Sequence, residues 1–221
     1  TGNAGTLTGL AAASTWGLDA TPTYTSGGFA VNFTGFATLQ GGTNTDAFNV
    51  TAASSFNLNG GAANDTSDID AALTGAIDGE AGTDTLDLSA AATTNATLSG
   101  SDGDGFAGTS VTNVSAGFDG ITTLTGGAAG TLTGRNTAST WALDGTPTYN
   151  DGSNTLEFTG FATLQGGTNT DAFNVTAASS FNLNGGAAND TFDIDAELTG
   201  SVDGGAGTDP MQGTECDTGR P

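Results

Sequence analysis

Residues 41–49 read GGTNTDAFN, residues 60–68 read GGAANDTSD and residues 79–87 read GEAGTDTLD, three versions of one phrase that begin 19 residues apart. The phrase returns as GGTNTDAFN at 166–174, GGAANDTFD at 185–193 and GGAGTDPMQ at 204–212, again at a spacing of 19. After each glycine turn, apolar and polar residues alternate: Phe48 and Val50 flank Asn49, Phe56 and Leu58 flank Asn57, and Phe192 and Ile194 flank Asp193. Alternation of period two over a few residues, bounded by Gly, Asn and Asp, is the sequence signal of a short strand.

Two such strands fit in each repeat, so the spacing predicts an all-β chain built as a parallel β-solenoid, a β-roll or β-helix of about 19–20 residues per coil. Stacking the coils places Phe48, Ser67 and Leu86 in one inward ladder and Val50, Ile69 and Leu88 in the next. The second set is Phe173, Phe192 and Met211, then Val175, Ile194 and Gly213. Ser67 stands where the other copy has Phe192 and is expected to leave a gap.

A longer repeat contains the short one. Residues 5–84 recur at an offset of 125, and Phe33 to Thr66 is identical to Phe158 to Thr191. The lead-in FxGxxxLxGG begins at Phe33, Phe118 and Phe158. The expected organisation is a first solenoid copy over 1–98, Gly- and Ser-rich connecting coils over 99–129, a second copy over 130–209, and an aberrant, disordered tail over 210–221. That tail replaces TLDLSA with PMQGTE and carries the single Met, the single Cys and Arg220.

Composition narrows the partners. The chain has 24 Asp and Glu against 2 basic residues, a formal charge of -22. Phosphate recognition runs on Lys and Arg, which excludes nucleic acid and anionic membrane surfaces and leaves divalent cations as the natural complement. No stretch of eighteen apolar residues occurs, so membrane insertion is not expected. With no His, histidine triads and histidine metal sites are excluded. A lone Cys216 excludes an internal disulfide. Acidic pairs such as Asp68 and Asp70 repeat with the turns, which favours a solvated or ion-binding row over a glycosidase pair, and no enzyme activity is expected.

The acidic turns resemble the glycine-aspartate nonapeptide GGxGxDxUx of RTX calcium-binding proteins, U being a large apolar residue, and the FxGFxxLxGG and TLDLS segments resemble the β-strand repeats of very large bacterial adhesins. Glycines permit tight turns and Asp supplies a hard oxygen, a combination that suits Ca2+. The resemblance implies calcium ions between stacked turns, with Asp46, Asp65 and Asp84 lining one ladder and Asp171, Asp190 and Asp209 another. Departures are visible: the fourth motif position is Asn44, Ala63, Asn169 and Ala188 in four turns, and the second Gly is Glu80 in the third. The competing reading is a plain turn in which each Asp bonds to local backbone amides.

The implied function is a structural or adhesive stalk or spacer of a secreted or cell-surface bacterial protein, with carbohydrate or other surface ligands bound through the parent protein. Metal-independent folding is the alternative, and ice-binding or a polysaccharide-active β-helix rank below it. Trp16 and Trp141, in matching STWGLD and STWALD segments, are read as filling the wider first coils of each copy or packing in a side loop, rather than as sugar platforms.

Overall fold

The computed structural model describes residues 4–109 and 111–213, and every regular element among them is a strand. The strands form two sheets, one of eleven and one of thirteen strands, between which the chain passes back and forth. Most neighbouring strands are parallel, and half of the parallel pairs are one short repeat apart: Leu39 pairs with Leu58 and Leu58 with Ile77 in the smaller sheet, and Phe48 pairs with Ser67 and Ser67 with Leu86 in the larger. The predicted ladders pair in the predicted register, including Phe192 beside Met211, but Met211, expected inward, is 52% exposed, because the coil that would cover it does not follow the repeat past Asp209.

Alternation decides which side chains enter the core. Asp46–Val50 buries Asp46, Phe48 and Val50 and leaves Ala47 and Asn49 part-exposed. One apolar cluster runs from Trp16 to Ile194 through both copies. Trp16 stacks on Phe48 with ring centroids 5.6 Å apart, and Trp141 on Phe173 at 5.6 Å, which in turn stacks on Phe192 at 5.1 Å. In the first copy the third ring is missing, because Ser67 occupies that buried rung. Both Trp side chains are buried, so neither offers its ring to a sugar. Turn edges are tied by side-chain amides that reach one repeat ahead: the Asn57 Oδ1 accepts the Ala76 amide, Asn64 that of Thr83, and Asn189 that of Thr208.

Three antiparallel excursions interrupt this regularity. Ser14–Leu18, Thr23–Ser26 and Phe29–Asn32 form a three-strand meander in the larger sheet, repeated by Ser139–Leu143, Thr148–Asn150 and Thr155–Thr159. Between them, Ala96–Ser101, Phe106–Thr109 and Phe118–Ile121 form a meander in the smaller sheet. The stretch expected to be a looser connection is thus woven into the sheet, with Phe106, Val111, Val114 and Ile121 buried. Sparse but well-placed aromatic and β-branched residues hold it, whereas its Gly and Ser content alone suggested a linker. The lead-in at Phe118 is likewise not the equivalent of the other two. Leu124 lies in the larger sheet and Leu39 and Leu164 in the smaller, because the meander shifts the phase of the chain.

The two copies join without a break. Thr123–Thr125 of the first pairs in parallel with Thr155–Thr159 of the second, and Ala96–Thr97 pairs with Leu132–Thr133. At the far end, Met211–Gln212 still pairs with Thr191–Ile194, so the strand ladder extends two residues past Pro210 into the segment expected to be disordered. Residues 214–221 of that segment, Cys216 and Arg220 among them, lie outside the described residues.

Candidate metal centre: the buried aspartate ladders

Of the six aspartates singled out for calcium, Asp46 and Asp171 open strands of the larger sheet, Asp65, Asp84 and Asp190 immediately precede one, and Asp209 stands two residues before one. They are brought together as two ladders of three, but on the inside of the turn. Asp46, Asp65, Asp84, Asp171 and Asp190 are buried, and Asp209 is half-buried.

Each rung is tied to the next through the backbone. The Asp46 amide donates to Asp65 Oδ1 at 2.6 Å and the Asp65 amide to Asp84 Oδ1 at 2.7 Å. In the second copy the Asp171 amide donates to Asp190 Oδ1 at 2.8 Å and the Asp190 amide to Asp209 Oδ1 at 2.9 Å. The ladders begin at a serine: Ser14 Oγ donates to Asp46 Oδ1 and Ser139 Oγ to Asp171 Oδ1. The Gly42 and Gly167 amides reach the second oxygen of the same carboxylates at 2.7 and 2.8 Å. Sequence reasoning missed these two serines, although their position 32 residues before Asp46 and Asp171 is the same in both copies.

The glycine that opens each phrase is explained by this burial. A Cβ at Gly41, Gly60, Gly79, Gly166, Gly185 or Gly204 would sit 2.4–2.8 Å from a carboxylate oxygen of the Asp five residues later. The space is shared by the carboxylate and the backbone of the next coil, whose carbonyl oxygen lies nearer still at Gly41, Gly79 and Gly166. Glycine at the second position serves the backbone instead: φ is +107° at Gly61 and +101° at Gly186. Ala63 and Ala188 adopt φ of 79° and 80°, a conformation that disfavours a Cβ by about 1–2 kcal/mol. Glu80, at φ 61°, is held in the same region while Gln40 Nε2 donates to its carboxylate at 2.8 Å.

Burial and like charge favour protons on these groups. Burial pushes Asp65 up to about 7, opposed by the Asp46 amide and reinforced by the charges of Asp84, Asp46 and Glu80. Asp84 and Asp171 are both pushed up to about 6 by burial, and Asp190 is raised for the same reason, the amide or hydroxyl bonds opposing the shift in each case. The second oxygens of Asp65, Asp84 and Asp190 are buried with no hydrogen-bond partner.

The fit to calcium is partial. Ca2+ takes about six to eight oxygens, whereas Asp46 and Asp171 have both carboxylate oxygens engaged and Asp65, Asp84 and Asp190 each offer one buried oxygen without a partner. Among the described residues no group of three or more Asp, Glu, His or Cys side chains converges as a ligand set. Outward of the ladders, Asn49, Asp68 and Asp87 stack in register as expected, and burial followed by Asp70 and Asp87 raises Asp68.

One further polar cluster stands at the junction of the copies. Arg135 donates to Asp151 and to Ser101 Oγ, and Ser101 also donates to Asp151. Burial alone would raise Asp151. Its bonds from Ser101, from the Asn154 and Ser153 amides and from Arg135 hold it instead at about 2. Asn154 Nδ2 adds contacts to the carbonyls of Asp102 and Gly105.

Compared with protein-family models, with curated proteins and with solved structures, the chain finds no match in any of the three.

Proposed function

We propose that the chain is a parallel β-solenoid serving as a structural spacer or adhesive stalk segment of a secreted or cell-surface bacterial protein. The observation that carries this is the junction. One copy continues into the next by strand pairing in both sheets, with a shared core. Such an arrangement transmits length and stiffness, which is what a spacer needs. Each 125-residue unit adds seven strands to each sheet, a rise of about 34 Å at the usual inter-strand spacing. Recognition of carbohydrate or another surface ligand then falls to other parts of the parent protein.

Small-angle scattering tests this directly, comparing the chain with one carrying an additional copy of residues 5–129. The expected result is a rod longer by about 34 Å at constant cross-section. A compact or bent particle of the same length would argue against a spacer.

A second reading, calcium stabilisation, is favoured by the unpartnered oxygens of Asp65, Asp84 and Asp190. The rung-to-rung amide bonds favour the metal-independent form, since they satisfy the other oxygen without an ion. Divalent ions would then act at the outward acidic rows, by screening.

A further inference from the structure

The two meanders of the larger sheet are equivalent residue for residue at the 125-residue offset, yet their surroundings differ. In the second copy, Tyr149, Leu156 and Phe158 are buried, and Phe106 of the first copy's smaller-sheet meander lies against Tyr149 with ring centroids 5.6 Å apart. The outer strand of that meander, Thr155–Thr159, is paired with Thr123–Thr125. In the first copy the matching strand, Phe29–Asn32, is an unpaired edge, and Thr6–Thr8 is the corresponding edge of the smaller sheet. Val31, the counterpart of fully buried Leu156, is 56% exposed, and Leu10 and Phe29 beside it are 62% and 83% exposed.

The architecture explains why this face is bare. Both copies carry a two-strand insertion in the larger sheet at their start, the first copy also carries one in the smaller sheet at its end, and at the junction this lies against the second copy's larger-sheet insertion across the core. The first copy's insertion, Thr23–Ser26 and Phe29–Asn32, lacks the opposing one.

We propose that the face formed by Leu10, Tyr24, Phe29 and Val31, with the strand edges Thr6–Thr8 and Phe29–Asn32, is the docking site for the end of another unit of this repeat, joined ahead of Gly5. That unit contributes an antiparallel hairpin like Ala96–Thr109, with an inward aromatic in the place of Phe106, and a strand like Thr123–Thr125. The contact continues an interface already present in the molecule. Its chemistry differs in one respect: Arg135, Asp151 and Asn154 of the existing junction are replaced by Leu10, Ser26 and Phe29, so the contact is held by apolar packing and strand pairing without the polar ties to Ser101 and Asp102. A second copy of the present chain cannot supply this surface, because its own 88–125 segment is already engaged and the repeat departs from the pattern after Asp209.

This inference rests on the spacer reading, and hydrogen exchange separates the two. The probe is the chain extended by residues 5–129 ahead of Gly5. Amides of the original Phe29–Asn32 and Thr6–Thr8 edges are expected to exchange at least about tenfold more slowly in the extended chain, approaching their counterparts in Thr155–Thr159 and Thr131–Thr133. Val31→Asp is expected to abolish that protection while leaving the unextended chain's melting unchanged. Unchanged exchange at both edges in a chain that scattering shows to have lengthened would overturn the docking proposal and leave the spacer standing. Concentration-dependent protection of Phe29–Asn32 in the unextended chain would also overturn it, assigning the face to self-association.

Discussion

The hairpin after Trp16 and the hairpin after Trp141 share length, register and a Tyr packed on the Trp, at centroid separations of 4.4 and 4.7 Å. They differ in cover. Around Tyr149 the neighbouring unit closes the core, and around Tyr24 it does not. Equivalent positions, Val31 and Leu156, are therefore surface in one place and core in the other, which is the behaviour of a quasi-one-dimensional repeat: stability is shared between neighbours rather than owned by each unit.

The strongest way to break this comparison is to truncate equivalent residues. Leu156→Ala is expected to destabilise by about 2–5 kcal/mol, as for other buried leucines, while Val31→Ala changes stability by less than about 0.5 kcal/mol. Urea unfolding of both variants measures the contrast, and equal losses would mean that the exposed face contributes to the core after all. A related contrast holds in the stack, where Phe192→Ser should reproduce the Ser67 rung at a loss of about 3–5 kcal/mol.

Next in size are the aspartates. Asp190→Ala removes the acceptor of the buried Asp171 amide and is expected to cost about 1–3 kcal/mol in a denaturant titration at pH 5. Asp190→Asn keeps an acceptor and should recover most of that loss. A metal-ligand role would instead make both variants insensitive to added calcium in the second copy's ladder.

Acidity sharpens the same point. Asp65, Asp84, Asp171 and Asp190 bind protons more tightly folded than unfolded, where a carboxyl titrates near about 4. Between those values the folded state holds more protons, so stability falls as pH rises through 6 to 7. The melting temperature in metal-free buffer is expected to be higher at pH 5 than at pH 8 by roughly 5 °C. Asp151, held at about 2, remains ionised in both buffers and does not offset the trend. Smallest is the backbone effect: Ala188→Gly relieves a left-handed alanine and should raise stability by about 1 kcal/mol, read from the same melts.

Much of this was legible in the residues. The 19-residue spacing and the Phe–x–Val alternation gave the inward ladders and their register, because strand geometry leaves one way to keep Phe48, Ser67 and Leu86 on the same side. What the spacing could not reveal was the direction of the aspartates. A Gly-Gly-x-x-x-Asp turn serves an outward ion or an inward carboxylate equally well until the missing Cβ of Gly60 or Gly185 is seen to make room for Asp65 or Asp190. The meander through Phe106 and Phe118 was hidden for a different reason: it breaks the repeat, and its antiparallel pairing depends on contacts far apart in sequence, between Phe106 and Ile121 and between Phe106 and Tyr149.

The most direct measurement is far-ultraviolet circular dichroism with thermal melting at pH 8, in excess EDTA, in millimolar CaCl2 and in MgCl2 at matched ionic strength. A chain held by strand pairing, a shared core and amide-bonded aspartates is expected to show the same strand signal in all three buffers, with calcium and magnesium raising the melting temperature equally through screening. Strand signal that appears only with calcium would contradict it and assign the free oxygens of Asp65, Asp84 and Asp190 to bound ions.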